Sequence, residues 1–212
     1  MNNKRNGRRK RRDEFEQRRP QLGHYLIVTD TKETEKNYFQ DLSRSMPEEI
    51  RRKITIRVII TPTGNLVDRC LEEAALAPQY AEAWIIFDRD EVQNFDEIID
   101  EAIKNKLHAG WSNPCFEIWM EAYFGKMESC DTSVQCCQHF AEIFYRKTGS
   151  EYKKNNRKIY SALKKYGDEQ KAIQLAEAKY NSLRFREQKP SRMYSCTTVY
   201  QLIREIIEKS SK

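Results

Sequence analysis

The 212-residue chain has no long hydrophobic segment. None of its apolar runs approaches the ~20 residues that a membrane-spanning helix needs. The N-terminal residues are too basic and too polar for the apolar centre of a signal peptide. We therefore expect a soluble, cytoplasmic protein that does not associate with a membrane. A chain of this length can bury one large core, or one domain with an appendage.

The cysteines lack the spacing of a zinc knuckle. Six are present, but no two are separated by two residues. Cytoplasmic thiols stay reduced, and a buried thiol packs as a small hydrophobic group. Cys130, Cys136, Cys137 and His139 lie in a helix-like pattern. We favour a packing role for them over a zinc site.

Several motifs of common enzyme classes are also missing. The sequence contains no internal repeat, Walker loop, Gly-rich dinucleotide loop or Ser/His/Asp arrangement.

Charge is distributed unevenly along the chain. Residues 1–19 contain 9 Lys/Arg and 3 Asp/Glu, residues 20–125 contain 11 and 19, and residues 126–212 contain 18 and 10. An acidic central segment is thus flanked by two basic segments. Nucleic acid would be attracted to the flanks, and repelled by the centre unless divalent cations neutralised its carboxylates.

Two basic clusters are candidate nucleic-acid contacts. In the second, the basic residues lie between Tyr152 and Tyr160, and a mixture of basic and aromatic residues suits phosphate contact with base stacking. A disordered solubilising arm and a solvated helix face are the alternative interpretations. The candidates are Arg8, Arg9, Lys10, Arg11 and Arg12 in the first cluster, and Lys153, Lys154, Arg157 and Lys158 in the second.

The most informative segment is the apolar run at 83–87, which ends on Asp88-Arg89-Asp90. Such a run is typical of a strand buried on both faces of a parallel sheet. In an extended chain Asp88 and Asp90 would point to the same side, with Arg89 pointing away. Two carboxylates at the carboxyl end of a sheet suit Mg²⁺ or Mn²⁺. Taken alone, the pattern also fits the acidic start of a solvated loop.

Strand and helix patterns alternate three times before residue 104. Predicted strands at 25–28, 54–60 and 83–87 are each followed by a helical apolar pattern. This order predicts an α/β fold with a mostly parallel sheet flanked by helices. The first strand ends near Asp30, which would share the acidic edge.

Asn113-Pro114 predicts the start of a further helix, since Asn is a good N-cap and Pro suits the first helical position. Glu117 would then lie near the beginning of this helix, where a carboxylate interacts favourably with the helix dipole. From residue 126 onward only helical periods remain. We therefore predict a disordered arm at 1–20, an α/β domain at 21–125 and a basic helical domain at 126–212.

Three sequence blocks resemble the RloB-like family, whose catalytic core resembles a Toprim domain. Lys189-Pro190-Ser191 and Thr197-Thr198-Val199-Tyr200-Gln201-Leu202 look like a version of the family's closing motif. The resemblance extends from about residue 23 to 206. The blocks are Val28-Thr29-Asp30-Thr31-Lys32-Glu33-Thr34-Glu35-Lys36-Asn37-Tyr38-Phe39, Phe87-Asp88-Arg89-Asp90 and Ser112-Asn113-Pro114-Cys115-Phe116-Glu117-Ile118-Trp119.

This resemblance implies a nuclease that cleaves phosphodiester bonds in DNA or RNA, tRNA included. Asp88 and Asp90 would bind Mg²⁺ or Mn²⁺, and Asp30 would be a third ligand or an acid/base group. Glu35 and Glu117 are further catalytic candidates. The family also implies a role in bacterial anti-phage defence by abortive infection, beside an ABC-type or AAA-type ATPase. The sequence leaves open whether the chain forms a homo-oligomer.

The first block departs from the family pattern. Asp30-Thr31 stands where the family typically has Glu-Gly, so the carboxylate is one methylene shorter. Either Asp30 keeps its role with a shorter reach, or the protein is a binding or regulatory subunit with a degenerate site. A primase-like activity would also fit Toprim chemistry, but the sequence shows no additional nucleotide-binding feature for it.

Overall fold

The computed structural model describes residues 23–79, 82–90 and 92–211. The predicted arm, with its cluster from Arg8 to Arg12, lies outside the described residues. None of the helices in the described ranges is long and apolar enough to cross a membrane.

A five-stranded sheet forms the centre of the described structure, in the order β2-β1-β3-β4-β5. The first four strands are parallel, and β5 pairs antiparallel with β4. The strands are β1 (Gly23–Thr29), β2 (Ile54–Ile60), β3 (Glu82–Asp88), β4 (His108–Asn113) and β5 (Cys196–Thr197). The predicted α/β class with a mostly parallel sheet is confirmed.

Helices cover both faces of this sheet. Those of at least six residues are α1 (Thr34–Ser45), α3 (Leu66–Leu76), α4 (Phe95–Lys104), α5 (Glu117–Ala122), α6 (Ser133–Thr148), α7 (Ile159–Tyr166), α8 (Glu169–Arg184) and α9 (Val199–Ser210). The four-residue helix α2 (Glu48–Arg51) precedes β2. Helices α3 and α4 pack on one face, while α1, α5, α7 and α9 pack on the other.

The apolar run of β3 is buried on both faces, as its sequence predicts. Trp84 and Ile86 pack with α1 and α9, while Ile85 and Phe87 pack with α3 and α4. Successive side chains of a strand point to opposite faces, so a strand covered on both sides must be continuously apolar. The position of Asp88 at the end of β3 is therefore held by two hydrophobic cores.

The predicted helix start at Asn113-Pro114 is wrong. Residues 108–113 form β4 instead, and the Asn113-Pro114 peptide bond is cis. The helix α5 begins at Glu117. The Asn113 side chain donates hydrogen bonds to the carbonyls of Pro190 and Ser191, so it holds the C-terminal segment.

The C-terminal segment completes the sheet through hydroxyl contacts. The Thr197 hydroxyl donates to the carbonyl of Trp111, and the Thr198 hydroxyl accepts from the Trp111 N–H. Ser191 donates both its backbone N–H and its hydroxyl to the Asp96 carboxylate. Three residues of the closing motif, Ser191, Thr197 and Thr198, therefore bind β4 and α4. Whether residues 126–212 fold independently stays a prediction, but they contribute β5 and α9 to the common core.

Candidate functional site

Asp30 and Asp88 lie at the same edge of the sheet. Strands β1 and β3 are parallel neighbours in which Thr29 is paired with Ile86. Asp30 follows β1 directly, and Asp88 ends β3. The carboxyl ends of parallel strands share one edge, which is where open α/β sheets bind their ligands.

Asp88 sits among three other acidic residues. Its Oδ1 atom is buried and has no hydrogen-bond partner. The backbone N–H of Phe116 donates to its carboxylate. Burial raises the pKa of Asp88 well above its usual value, and the charges of Glu35, Glu117 and Asp30 raise it further. Without a cation this cluster is therefore expected to retain protons.

Glu35 has a more central position in the acidic cluster than the sequence analysis predicts. It lies in the first turn of α1 and is fully buried. The Thr31 hydroxyl donates to one carboxylate oxygen, while the other has no partner. Burial raises the pKa of Glu35 to about 8, with smaller contributions from the charges of Asp30 and Glu117.

Asp30 is held at the edge by a residue that the sequence analysis did not identify. The Thr63 hydroxyl donates to Asp30 Oδ2 over 2.8 Å, whereas Oδ1 is buried without a partner. Burial raises the pKa of Asp30, and the charge of Asp90 adds to the effect.

Asp90 does not continue the strand, so the predicted extended geometry of Asp88 and Asp90 is wrong. β3 ends at Asp88, and Asp90 adopts a positive φ of 25° in the following turn. Asp tolerates this region better than most residues. Its N–H donates to the carbonyl of Pro114, and its carboxylate accepts from the Ser133 hydroxyl. Asp90 is thus an exposed group next to Asp30, fixed by a turn.

Glu117 joins the acidic cluster to the second basic cluster. It is almost fully buried, at 1% exposure. The Tyr152 hydroxyl donates to its Oε1 over 2.8 Å, and the Lys154 ammonium lies 3.9 Å from the same oxygen. These contacts go beyond the helix-dipole role that the sequence alone also allows.

The basic segment 151–158 is a loop between α6 and α7 that rests on α1. The Asn37 side chain donates to the carbonyl of Lys154, and Arg44 donates to the carbonyl of Arg157. Four basic side chains of this loop are exposed: Lys153, Lys154, Arg157 and Lys158. Tyr152 was not predicted as a site residue, because a tyrosine in a basic loop carries no specific signal. Its ring packs on Phe140, which directs the hydroxyl inward.

The acidic cluster fits a hard divalent cation. Asp30, Glu35 and Asp88 each have one buried carboxylate oxygen without a partner, and a buried carboxylate is costly unless it is paired or bound to a metal. Within the described residues, no three carboxylates bring their oxygens within 4.8 Å of one another. Mg²⁺ usually keeps several waters and binds through only one or two carboxylates, so it does not require three converging carboxylates.

Fold and site together define an α/β protein with a carboxylate cluster at the carboxyl edge of its sheet and a basic loop beside it. The model of the RloB-like protein family matches residues 25–206, and the chain belongs to this family. No curated protein and no solved structure matches the chain.

Proposed function

We propose that this protein is a metal-dependent nuclease with a Toprim-type site that cleaves phosphodiester bonds in DNA or RNA. One observation carries the proposal. Buried carboxylate oxygens without partners lie at the sheet edge, and Lys154, from an exposed basic loop, reaches the same cluster. This arrangement places a cation site and a phosphate-attracting surface side by side.

Different residues of the site would perform different parts of the reaction. Asp30 and Asp88 would hold Mg²⁺ or Mn²⁺, with Asp90 as an outer ligand, and the cation would polarise the scissile phosphate. Burial raises the pKa of Glu35 to about 8, so this residue is the candidate for exchanging a proton with an attacking water once a bound cation favours its ionised form. Lys154 can bind a phosphate oxygen, while Tyr152 orients Glu117.

Family resemblance supports the wider biological proposal. We place the protein in bacterial anti-phage defence by abortive infection, together with an ABC-type or AAA-type ATPase subunit, in the cytoplasm. The sequence has no nucleotide-binding loop, so the ATPase would be a separate chain.

The direct test is incubation of the purified protein with DNA, total RNA and tRNA, with Mn²⁺ or with EDTA. We expect cleavage of at least one substrate with Mn²⁺ and none with EDTA, because EDTA removes the cation that would polarise the scissile phosphate. Cleavage that persists in EDTA would contradict a metal mechanism.

A non-catalytic nucleic-acid-binding subunit is the second candidate, favoured by Asp30 where the family typically has Glu. A protein of this kind would bind nucleic acid in EDTA and would cleave nothing with Mn²⁺. The same incubation, followed by an electrophoretic mobility assay, separates the two functions.

Substitution of Lys154 by Ala tests the role of the basic loop. The side chain is 56% exposed, so its replacement should leave the fold intact. If it binds a phosphate, nucleic-acid affinity should fall, and the slope of log affinity against log salt should decrease by about 0.7 to 0.9. Fluorescence anisotropy at several salt concentrations measures both quantities.

Lys104→Ala is the matched control, since Lys104 is an exposed lysine at the end of α4, on the other side of the sheet from α1. Equal salt slopes for the two variants would show that Lys154 does not contact phosphate.

A further inference from the structure

A second cluster of metal-ligating side chains lies next to the acidic site. The sulfur atoms of Cys115 and Cys137 and one carboxylate oxygen of Glu117 all lie within 4.8 Å of one another. Cys115 and Glu117 come from the segment that follows β4, and Cys137 comes from α6. Two separate parts of the chain thus bring two thiols and a carboxylate to one point.

Further thiols extend this cluster. Cys136, the neighbour of Cys137 on α6, packs in one buried cluster with Cys115 and Cys130. Cys130 contacts Cys136 on one side and the His139 ring on the other, with Sγ and Nδ1 3.4 Å apart. All of these cysteines are free thiols. The sequence analysis assigned them to packing because it required a local Cys-x2-Cys spacing, whereas the ligands come together through the fold.

The distances between these three ligand atoms are close to the distances between the ligands of a tetrahedrally coordinated cation. Zn–S bonds of about 2.3 Å and Zn–O bonds of about 2.0–2.2 Å put neighbouring ligand atoms about 3.5–3.8 Å apart. A group already within 4.8 Å needs only a small contraction to reach this geometry. Cys136 or a water would complete the four ligands. Thiolates select soft cations such as Zn²⁺ over Mg²⁺.

We propose that Cys115, Cys137 and Glu117 form a binding site for a thiophilic divalent cation of the Zn²⁺ class. The site is distinct from the Mg²⁺ site at the sheet edge, but both involve Glu117. Glu117 Oε1 also accepts from the Tyr152 hydroxyl and lies 3.9 Å from the Lys154 ammonium, so a cation bound here would share this carboxylate with the basic loop.

A cation that binds this site must displace protons from the two thiols. The hydrogen bond with Cys136, followed by burial, raises the pKa of Cys115, and the hydrogen bond with Cys115, followed by burial, raises that of Cys137. Both thiols are therefore protonated without a cation, and each thiol that binds as thiolate releases a proton.

Titration of the reduced, metal-free protein with Co²⁺ tests the site. The assay uses a thiol-free reductant and excess Mg²⁺ to occupy the acidic cluster. We expect a thiolate-to-cobalt charge-transfer band in the near ultraviolet that saturates at one equivalent and is abolished by Zn²⁺. The band should be markedly weaker in Cys137→Ser, which removes one of the two thiolate ligands at a half-buried position. Cys70→Ser is the matched control, because Cys70 is buried in the core on the α3 side and should leave the band unchanged.

A second measurement needs no variant. Zn²⁺ should protect Cys137 of the parent protein from alkylation by N-ethylmaleimide, as read by peptide mass spectrometry. An absent charge-transfer band, an equal band in folded Cys137→Ser, or unchanged alkylation with Zn²⁺ would each overturn the proposal. Because these readouts do not use cleavage, their failure is distinct from failure of the nuclease proposal.

Discussion

Asp88→Asn should lower the Mn²⁺-dependent cleavage rate by at least about 100-fold, the usual loss on removal of a central electrostatic group. Asp88 is placed by a strand buried on both faces, and one of its oxygens is buried without a partner. Asn has nearly the same shape but no charge, so it removes the attraction for a cation and leaves the packing intact. Gel-based cleavage rates with Mn²⁺ in excess measure the loss.

Asp100→Asn is the matched control, since Asp100 is an exposed carboxylate on α4. It should cleave at the parent rate. Nucleic-acid affinity of Asp88→Asn in EDTA should equal that of the parent, because the raised pKa keeps Asp88 protonated without a cation and Asn is likewise uncharged. A folded Asp88→Asn variant that cleaves as well as the parent would refute the catalytic assignment, whichever cation is used.

The sequence predicts the acidic edge in part. Asp30 and Asp88 follow apolar strands, and the rule that parallel strands end at one edge is enough to bring them together. The turn at Asp90 could not be predicted, because it depends on the hydrogen bond that the Asp90 N–H donates to the Pro114 carbonyl and on the one that its carboxylate accepts from Ser133, and both partners are distant in the sequence.

Glu35 and Glu117 show the limit of local patterns. Each lies in the first turn of a helix, where an acidic residue is ordinary. Their burial beside Asp88 results from the packing of α1 and α5, which no local spacing encodes. Tyr152 and Lys154 reach Glu117 through a loop that folds back onto α1.

The sequence analysis did not predict the strands β4 and β5, and the reasons are physical. β4 reads His-Ala-Gly-Trp-Ser-Asn, which is poor in the β-branched residues that favour strands. Its last residue, Asn113, is followed by Pro114, and an Asn-Pro pair also suits a helix start. β5 has only two residues and is held by the hydroxyl contacts of Thr197 and Thr198 with β4.

The acidic cluster should also make the metal-free protein sensitive to pH through Glu35. The usual pKa of this group is 4.5, and burial raises it to about 8 in the folded state. Between these values the folded state binds more protons than the unfolded state, so the free energy of unfolding falls as pH rises. The stabilising effect is complete below about pH 4.5 and is lost once pH passes about 8. Asp88 and Asp30 shift in the same direction and add to the slope.

Glu35→Gln should remove the contribution of this residue, because Gln cannot lose a proton. In EDTA at about pH 9 we expect the variant to unfold at a higher temperature than the parent, by at least about 2–4 °C for each kcal/mol recovered. The difference should shrink toward about pH 4.5, and Mn²⁺ should reduce or reverse it, because a cation that binds the folded parent stabilises it. Glu97→Gln, at an exposed position on α4, should follow the parent curve. Differential scanning fluorimetry across this pH range measures the difference. Identical curves for Glu35→Gln and Glu97→Gln would show that the Glu35 carboxylate is solvated. It could then not belong to a cation site that is shielded from water.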